Sequence, residues 1–323
     1  MAKLRIGICG FGGLGHVHAR SLAGMEDVEV VSVCDIDPAK LVAPAQPAEP
    51  GAFDVGHCRT YADLAAMLKA EALDVLVNAI PTDIHADLAI QGLESGCHVF
   101  SEKPMALDVP SARRMIEAGR RSRRNLMIGH CLRFWCEYEM LRAMIADRRY
   151  GALLALDMVR IGRGHEGDSW FCDYRRSGGA ILDLHIHDVD WCLDVLGAPE
   201  RIFARARRGP TGGLDDITAL WSYRDGPIVT LRGSWRAQAF TMSFRALFEQ
   251  AQVEYSNTTG GLQITRRGVR EDVPADGSSA YVNEMRYFLD CCRNGERPAR
   301  CLPETSLAAV EMIKTEREAA AKP

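Results

Sequence analysis

The chain has no excess of positive charge: its 323 residues carry 39 lysines and arginines against 43 aspartates and glutamates, a formal charge of −4. No dense basic stretch offers the electrostatic footprint that nucleic acid requires, so nucleic acid is not an expected partner. Long apolar runs are missing as well. The longest are of strand length, short of the ~20 residues a bilayer demands, and residues 1–25 lack a charged leader followed by an apolar stretch. Neither membrane insertion nor export is expected. The 11 cysteines form no CxxC pair. Several (Cys9, Cys34, Cys192) lie inside apolar runs, where cysteine acts as a small hydrophobe, and a reduced, cytoplasmic setting is expected. Internal repeats and low-complexity tracts are also lacking, apart from an alanine-rich tail. What remains, 47% hydrophobic and 25% charged, is the composition of a two-domain globular protein.

Short β-branched runs at 4–9, 28–34, 73–80, 98–101 and 125–129 alternate with helical patterns at 14–23, 61–68, 84–95 and 109–121. This alternation is the sequence form of an α/β fold with a doubly wound parallel sheet. Pro44, Pro47, Pro50, Gly51 and Gly56 break up the place of a second crossover helix, so residues 41–57 read as a loop. After Gly129 the pattern changes. A helix at 137–147, a strand at 153–161 and a helix at 180–196, closed by Gly197 and Pro199, lead into extended runs at 201–207, 217–223, 228–235, 242–249 and 252–255. Runs without intervening helices predict a largely antiparallel sheet. Helices near 281–293 and 304–321 finish the chain. The reading is a dinucleotide-binding domain over 1–129 and a second domain over 130–323, whose terminal helices are free to pack back on the first.

The strongest local signal is Gly10-Phe11-Gly12-Gly13-Leu14-Gly15, a GxGxxG that follows an apolar strand and opens a helix. Gly10 serves the tight turn, Gly12 lets backbone approach a diphosphate, and Gly15 allows close packing of helix on strand. The helix start presents free N–H groups to phosphate. Twenty residues beyond Gly15 the next strand ends in Asp35, placed to accept hydrogen bonds from an adenosine ribose. That carboxylate would repel a 2′-phosphate, and the following Ile36 supplies no guanidinium, so NAD is expected ahead of NADP. Lys40, five residues on, weakens that preference.

Two further segments bear chemistry. Glu102-Lys103-Pro104 follows a strand at the carboxyl edge of the sheet, where an ammonium can stabilise alkoxide character as hydride leaves. Further on, Gly178-Gly179 precede a helix whose residues Leu182, Ile186, Val189, Leu193 and Leu196 make one apolar stripe. Asp183 and His187 fall on the adjoining polar stripe with Asp190 and Asp194, one turn apart, as suits a carboxylate orienting a general-base imidazole. His185 and His187 with Asp183 or Asp188 would make a metal pair on a strand. On a helix, residues two apart diverge by about 200°, so no metal is expected.

Together these motifs resemble the glucose-fructose oxidoreductase, inositol dehydrogenase and rhizopine catabolism (Gfo/Idh/MocA) family. The resemblance rests on GxGxxGxxH from Gly10 to His18, Pro81-Thr82-x-x-His85, the EKP at Glu102–Pro104 and GG-x-x-x-D-x-x-x-H from Gly178 to His187. It implies an N-terminal Rossmann domain and a C-terminal α/β domain with an open, mostly antiparallel sheet. The glycine turn, Asp35, Ile36, Pro81, Thr82, His85, Glu102 and Lys103 would hold NAD, and Lys103, Asp183 and His187 would be catalytic. Gly129-His130-Cys131-Leu132-Arg133-Phe134-Trp135 is similar to the family's GH-x-x-RF stretch, so Arg133 and Trp135 are candidates to face substrate, though structural pairing of Arg133 fits equally. His185 stands where many members have glycine, implying a more polar pocket or a narrower substrate. The implied activity is hydride transfer to or from a secondary alcohol or ketone of a sugar, cyclitol or polyol. Rival readings are an NAD-using glycosidase or epimerase and a non-catalytic dinucleotide sensor. Assembly as a homodimer or homotetramer through the C-terminal sheet is expected.

Overall fold

The computed structural model describes residues 2–42 and 53–321; Pro44, Pro47, Pro50 and Gly51 of the expected loop lie outside them. The chain forms two compact units, Met1–His130 with Tyr281–Leu307, and Cys131–Ala280 with Ala308–Pro323. Residues 281–307 therefore belong with the first unit.

The first unit runs β1 (Leu4–Cys9), α1 (Gly13–Ala23), β2 (Val28–Cys34), β3 (Arg59–Tyr61), α2 (Leu64–Ala70), β4 (Val75–Asn78), α3 (His85–Glu94), β5 (His98–Glu102), α4 (Val109–Ser122) and β6 (Leu126–Gly129). All strand pairs are parallel, in the order β3-β2-β1-β4-β5-β6. This is the Rossmann order, whose reversal between β1 and β4 opens a crevice at the carboxyl ends. The central strands are apolar on both faces, with Ile6, Ile8, Leu76, Val77 and Phe100 fully buried.

The expected helix over 61–68 begins later, at Leu64, because the Asp63 carboxylate caps it by accepting the Ala66 N–H. Tyr61 instead ends β3, a three-residue edge strand that the sequence reading missed.

The second unit contains α5 (Cys136–Asp147), β7 (Leu153–Arg163), α6 (Tyr174–Ser177), α7 (Ala180–Asp183) and α8 (Ile186–Leu196). There follow β8 (Arg201–Arg208), β9 (Leu214–Ser222), β10 (Ile228–Ser234), β11 (Arg236–Phe248), β12 (Gln252–Ser256), β13 (Leu262–Arg266) and β14 (Val269–Val273). The eight-stranded sheet has the order β14-β13-β12-β11-β7-β10-β9-β8. Only the β7–β10 pair is parallel among the described residues. Five extended runs were expected after α8. β13 and β14 are additional, a polar hairpin at the sheet edge whose turn residues Arg267 and Gly268 have φ of 48° and 79°. On the inner face Tyr138, Trp191 and Phe244 pack edge to face.

The chain closes with α9 (Ala280–Asn294) and α10 (Pro303–Ala320). In the first unit, α9 sets Phe288 against Phe100, ring centroids 5.8 Å apart. Arg286, at 2.9 Å, and Arg293 both bind Asp27, which precedes β2. Those guanidiniums hold the Asp27 carboxyl well below the usual carboxylate range. No helix among the described residues is long and apolar enough to cross a membrane, and all 11 cysteines are free thiols.

Candidate active site

The chain leaves β1 through Gly10, whose φ of +89° suits glycine. A Cβ there would sit 2.3 Å from the Ala79 carbonyl oxygen, and one on Gly15 would sit 2.1 Å from the Gly10 carbonyl oxygen. Helix and strand touch because neither residue has a side chain. Gly12 and Gly13, by contrast, face open space within 4 Å. Aspartates cap α2 and α4 through their side chains, but Gly12 offers α1 no side-chain cap and the first turn holds no acid. The N–H groups and positive dipole end of α1 thus remain available to an anion. Phe11 is buried and its N–H donates to Asp35 Oδ2 at 2.8 Å. Asp35 is itself buried at the end of β2, whereas Ile36 is exposed. Thr82, after β4, has a buried hydroxyl without a protein partner among the described residues. An uncapped helix start, glycines with room before them, a flanking carboxylate and an orphan hydroxyl fit a dinucleotide diphosphate and ribose.

His85 does not point into open space. Its ring is fully enclosed, with Nδ1 2.8 Å from the Pro104 carbonyl oxygen and Nε2 2.8 Å from that of Ile80. The ring ties the turn after β4 to the turn that carries Lys103, so its contribution is to hold backbone. Glu102 is buried. Its Oε1 lies 2.6 Å from His18 Nε2, and its Oε2 accepts the Lys103 N–H at 3.1 Å. The last position of the GxGxxGxxH motif therefore braces the acid that precedes Lys103, which is itself half-buried. Sequence reasoning missed Glu284 of α9, fully buried with neither oxygen partnered among the described residues. Burial and the Glu102 charge push its carboxyl pKa well up.

In the second unit Gly178 and Gly179, φ +78° and +73°, form the turn before α7. Asp215 latches it, accepting the Ala180 N–H at 3.2 Å and the Thr211 N–H at 2.9 Å. The single helix expected over 180–196 is interrupted at Leu184 and His185. The Ala180 carbonyl accepts both the Leu184 N–H at 3.0 Å and the His185 N–H at 2.9 Å. That i+5 contact widens the turn by one residue, as π-type bulges do. The regular one-turn spacing of Asp183 and His187 is thereby broken. Asp183 is buried and His187 half-buried, with Cys131 Sγ 4.0 Å from His187 Nδ1.

The expectation that His185 lines a pocket is corrected. Its ring is fully buried, Nε2 bonded to Glu316 Oε2 at 2.9 Å, and a Cβ on Gly233 would meet His185 Cβ at 2.7 Å. Glu316 also accepts the Trp221 indole N–H at 2.8 Å.

Arg133 likewise points inward. Its Nε and Nη2 donate to the two Asp190 oxygens at 2.8 and 2.7 Å, and its Nη1 donates to Asp194 at 2.8 Å. A second buried fork, Arg160 to Asp188 at 3.1 and 3.0 Å, was not foreseen, and Arg160 also reaches the Tyr138 hydroxyl at 3.3 Å. The acids flanking His187 on α8 are each fixed by a guanidinium, which sets that helix in one orientation. Trp135 is half-buried at the start of α5. Among the described residues no group of three histidine, cysteine or acidic side chains is arranged for a metal ion.

A Rossmann sheet with a diphosphate-ready glycine turn, joined to a second α/β unit bearing a braced D-x-x-x-H motif, defines a nicotinamide-dependent oxidoreductase. The description "Oxidoreductase family, NAD-binding Rossmann fold" matches residues 4–130, and the GFO/IDH/MocA C-terminal domain matches residues 138–254. The chain belongs to the GFO/IDH/MocA oxidoreductase family. It is 31% identical over 312 residues to inositol 2-dehydrogenase of Rhizobium meliloti (strain 1021), covering 90% of this chain and 89% of that one. It is 25% identical to scyllo-inositol 2-dehydrogenase (NAD(+)) of Bacillus subtilis (strain 168), covering 92% and 88%. In fold it is similar to UDP-N-acetylglucosamine 3-dehydrogenase GnnA from Acidithiobacillus ferrooxidans, with TM-score 0.80, 24% identity and coverage of 99% and 98%.

Proposed function

We propose that the chain transfers hydride between a nicotinamide dinucleotide, NAD(H) in the first place, and a secondary alcohol or ketone of a sugar, cyclitol or related polyol. The reading is carried by one observation: the glycine turn leaves the α1 N-terminus uncapped and free of acid, with Asp35 buried at its flank. The names of the relatives support the substrate class. When bound, the nicotinamide ring supplies the hydride acceptor or donor. The rest falls to this chain's side chains. His187 takes the hydroxyl proton on a ring nitrogen, Lys103 stabilises developing negative charge, and Asp183 orients the imidazole. His85 and Glu102 act at one remove by fixing the turn that presents Lys103. The protein works as a homodimer or homotetramer built through the second sheet, in a reducing cytoplasm where its thiols stay free.

The test is a panel of polyols and keto-sugars followed at the reduced nicotinamide absorbance band. Net NADH accumulation is expected with at least one polyol, whereas product without net NADH would favour transient redox as in a glycosidase or epimerase. His187→Ala should keep NADH binding while turnover falls by about 10² to 10⁴. Unchanged turnover would remove His187 from the mechanism.

A further inference from the structure

Asp35 has no acceptor capacity to spare. A carboxylate offers about four lone-pair directions. Here Oδ2 accepts the Phe11 N–H at 2.8 Å, Oδ1 accepts the Asp37 N–H at 2.9 Å, and Lys40 Nζ lies 3.3 Å from both oxygens. The backbone contacts are short and fixed by the turn. The ammonium contacts are long, and the Lys40 side chain is 44% exposed. A ribose diol reaching Asp35 must therefore move Lys40 aside. The 3₁₀ turn Pro38–Leu41, capped by Asp37 accepting the Ala39 N–H, keeps the Lys40 backbone beside the carboxylate. Beside it lies a cavity of about 200 Å³, lined by Phe11, His16, Arg20, Lys40, Phe53 and Val55 among others. That lining carries two permanent cations, and no carboxylate among the described residues.

Building on the dinucleotide reading above, the geometry points to Lys40 as the residue that makes the cofactor site accept a 2′-phosphate as well as a 2′-hydroxyl, so that the protein takes NADP(H) alongside NAD(H). An ammonium has three donors. Two face Asp35 in the present arrangement, and turning outward gives Lys40 a phosphate oxygen while it still screens the carboxylate that would otherwise repel the dianion. Arg20 adds positive potential from α1. With NAD, Lys40 withdraws and Asp35 receives the diol. An acidic residue at the end of β2 thus does not exclude the phosphorylated cofactor in this chain.

Titrating the whole protein with NADH and NADPH separately, by quenching of tryptophan fluorescence, reads this without any substrate, and adenosine 2′,5′-bisphosphate against 5′-AMP isolates the single phosphate. The unaltered protein should bind the two dinucleotides within about tenfold of each other. Lys40→Ala should weaken NADPH by about tenfold, the loss of one charge-assisted contact, and leave NADH unchanged or tighter because Asp35 is released. Lys40→Arg should keep NADPH, and added salt should weaken NADPH more than NADH. NADH retained by Lys40→Ala shows that the variant is folded. A preference for NADH beyond about a hundredfold in the unaltered protein, or equal loss of both ligands in Lys40→Ala, overturns the inference while leaving the dehydrogenase reading standing. Failure of the unaltered protein to bind either dinucleotide would remove both.

Discussion

Both ring nitrogens of His85 face backbone carbonyls at 2.8 Å, yet burial lowers its pKa, so at neutral pH the ring carries one proton and donates to only one of them. His85→Phe fills the same volume, and it strips a buried carbonyl of its donor. It should lower stability by about 1–3 kcal/mol in urea unfolding, and substrate turnover should fall with it because the Lys103 turn loses its tie. Turnover equal to that of the parent would separate His85 from the chemistry. The same residues set an acid limit. His16, His85 and His98 all have folded-state pKa values lowered by burial. The unfolded chain takes up protons below about pH 6.5 while the folded chain resists. Their contribution is fully present above that pH and lost as pH falls towards the folded values. Asp27, held low by Arg286 and Arg293, adds a second decline below about pH 4. Urea midpoints taken from pH 8 to pH 3 should show both; a flat profile between pH 7 and 5 would contradict the first. Residue types and their order were legible in the sequence at the glycine turn, EKP and D-x-x-x-H. The direction in which polar side chains point was not, because partners are remote in the chain: His18 is 84 positions from Glu102, and His185 is 131 from Glu316.

At the scale of elements, hydrophobic period located helices well and missed what does not alter it. The stripe from Leu182 to Leu196 reads as one helix. A single widened turn at Ala180, stabilised where the His185 ring reaches Glu316, is invisible to a period count. Edge strands escaped for a different reason: β3 and β14 bury little, so neither has an alternating pattern to betray it. The orientation of α8 depends on the two guanidinium forks. Arg133→Leu removes the guanidinium fork from the buried Asp190 carboxylate and should cost about 3–5 kcal/mol, whereas adding Asp190→Leu should recover most of the loss. Unfolding free energies of parent, single and double variants measure this directly. If the double variant is no more stable than Arg133→Leu alone, the pair does more than neutralise charge, and the fork geometry itself holds the helix.

For the whole molecule, alternation of strand and helix announced the first unit, and a succession of strands announced the second. That the terminal helices could return to the first unit was allowed by the sequence, but which of their residues do so was not legible, since a helical pattern does not say which surface it covers, and the Asp27 and Phe100 contacts that fasten α9 lie far off in sequence. The eight-stranded sheet poses the remaining question. One face is core. On the other, Phe203 and Leu220 are cross-strand partners exposed to 57% and 42%, with Ile228 at 56% on the adjoining strand. Around them Arg205 lies over the Phe203 ring, and Arg245 pairs with Glu254. An apolar patch rimmed by charge is the composition of a protein interface rather than of a solvated sheet face. If a second copy covers it, Phe203→Glu with Leu220→Glu sets carboxylates in the apolar centre. Such changes should raise the dissociation constant on the order of a hundredfold or more. Sedimentation velocity at micromolar concentration should then show a dimer or tetramer for the parent chain and a monomer for the variant, with NADH binding in the first unit unaffected. A parent chain that sediments as a monomer would assign the patch to another partner.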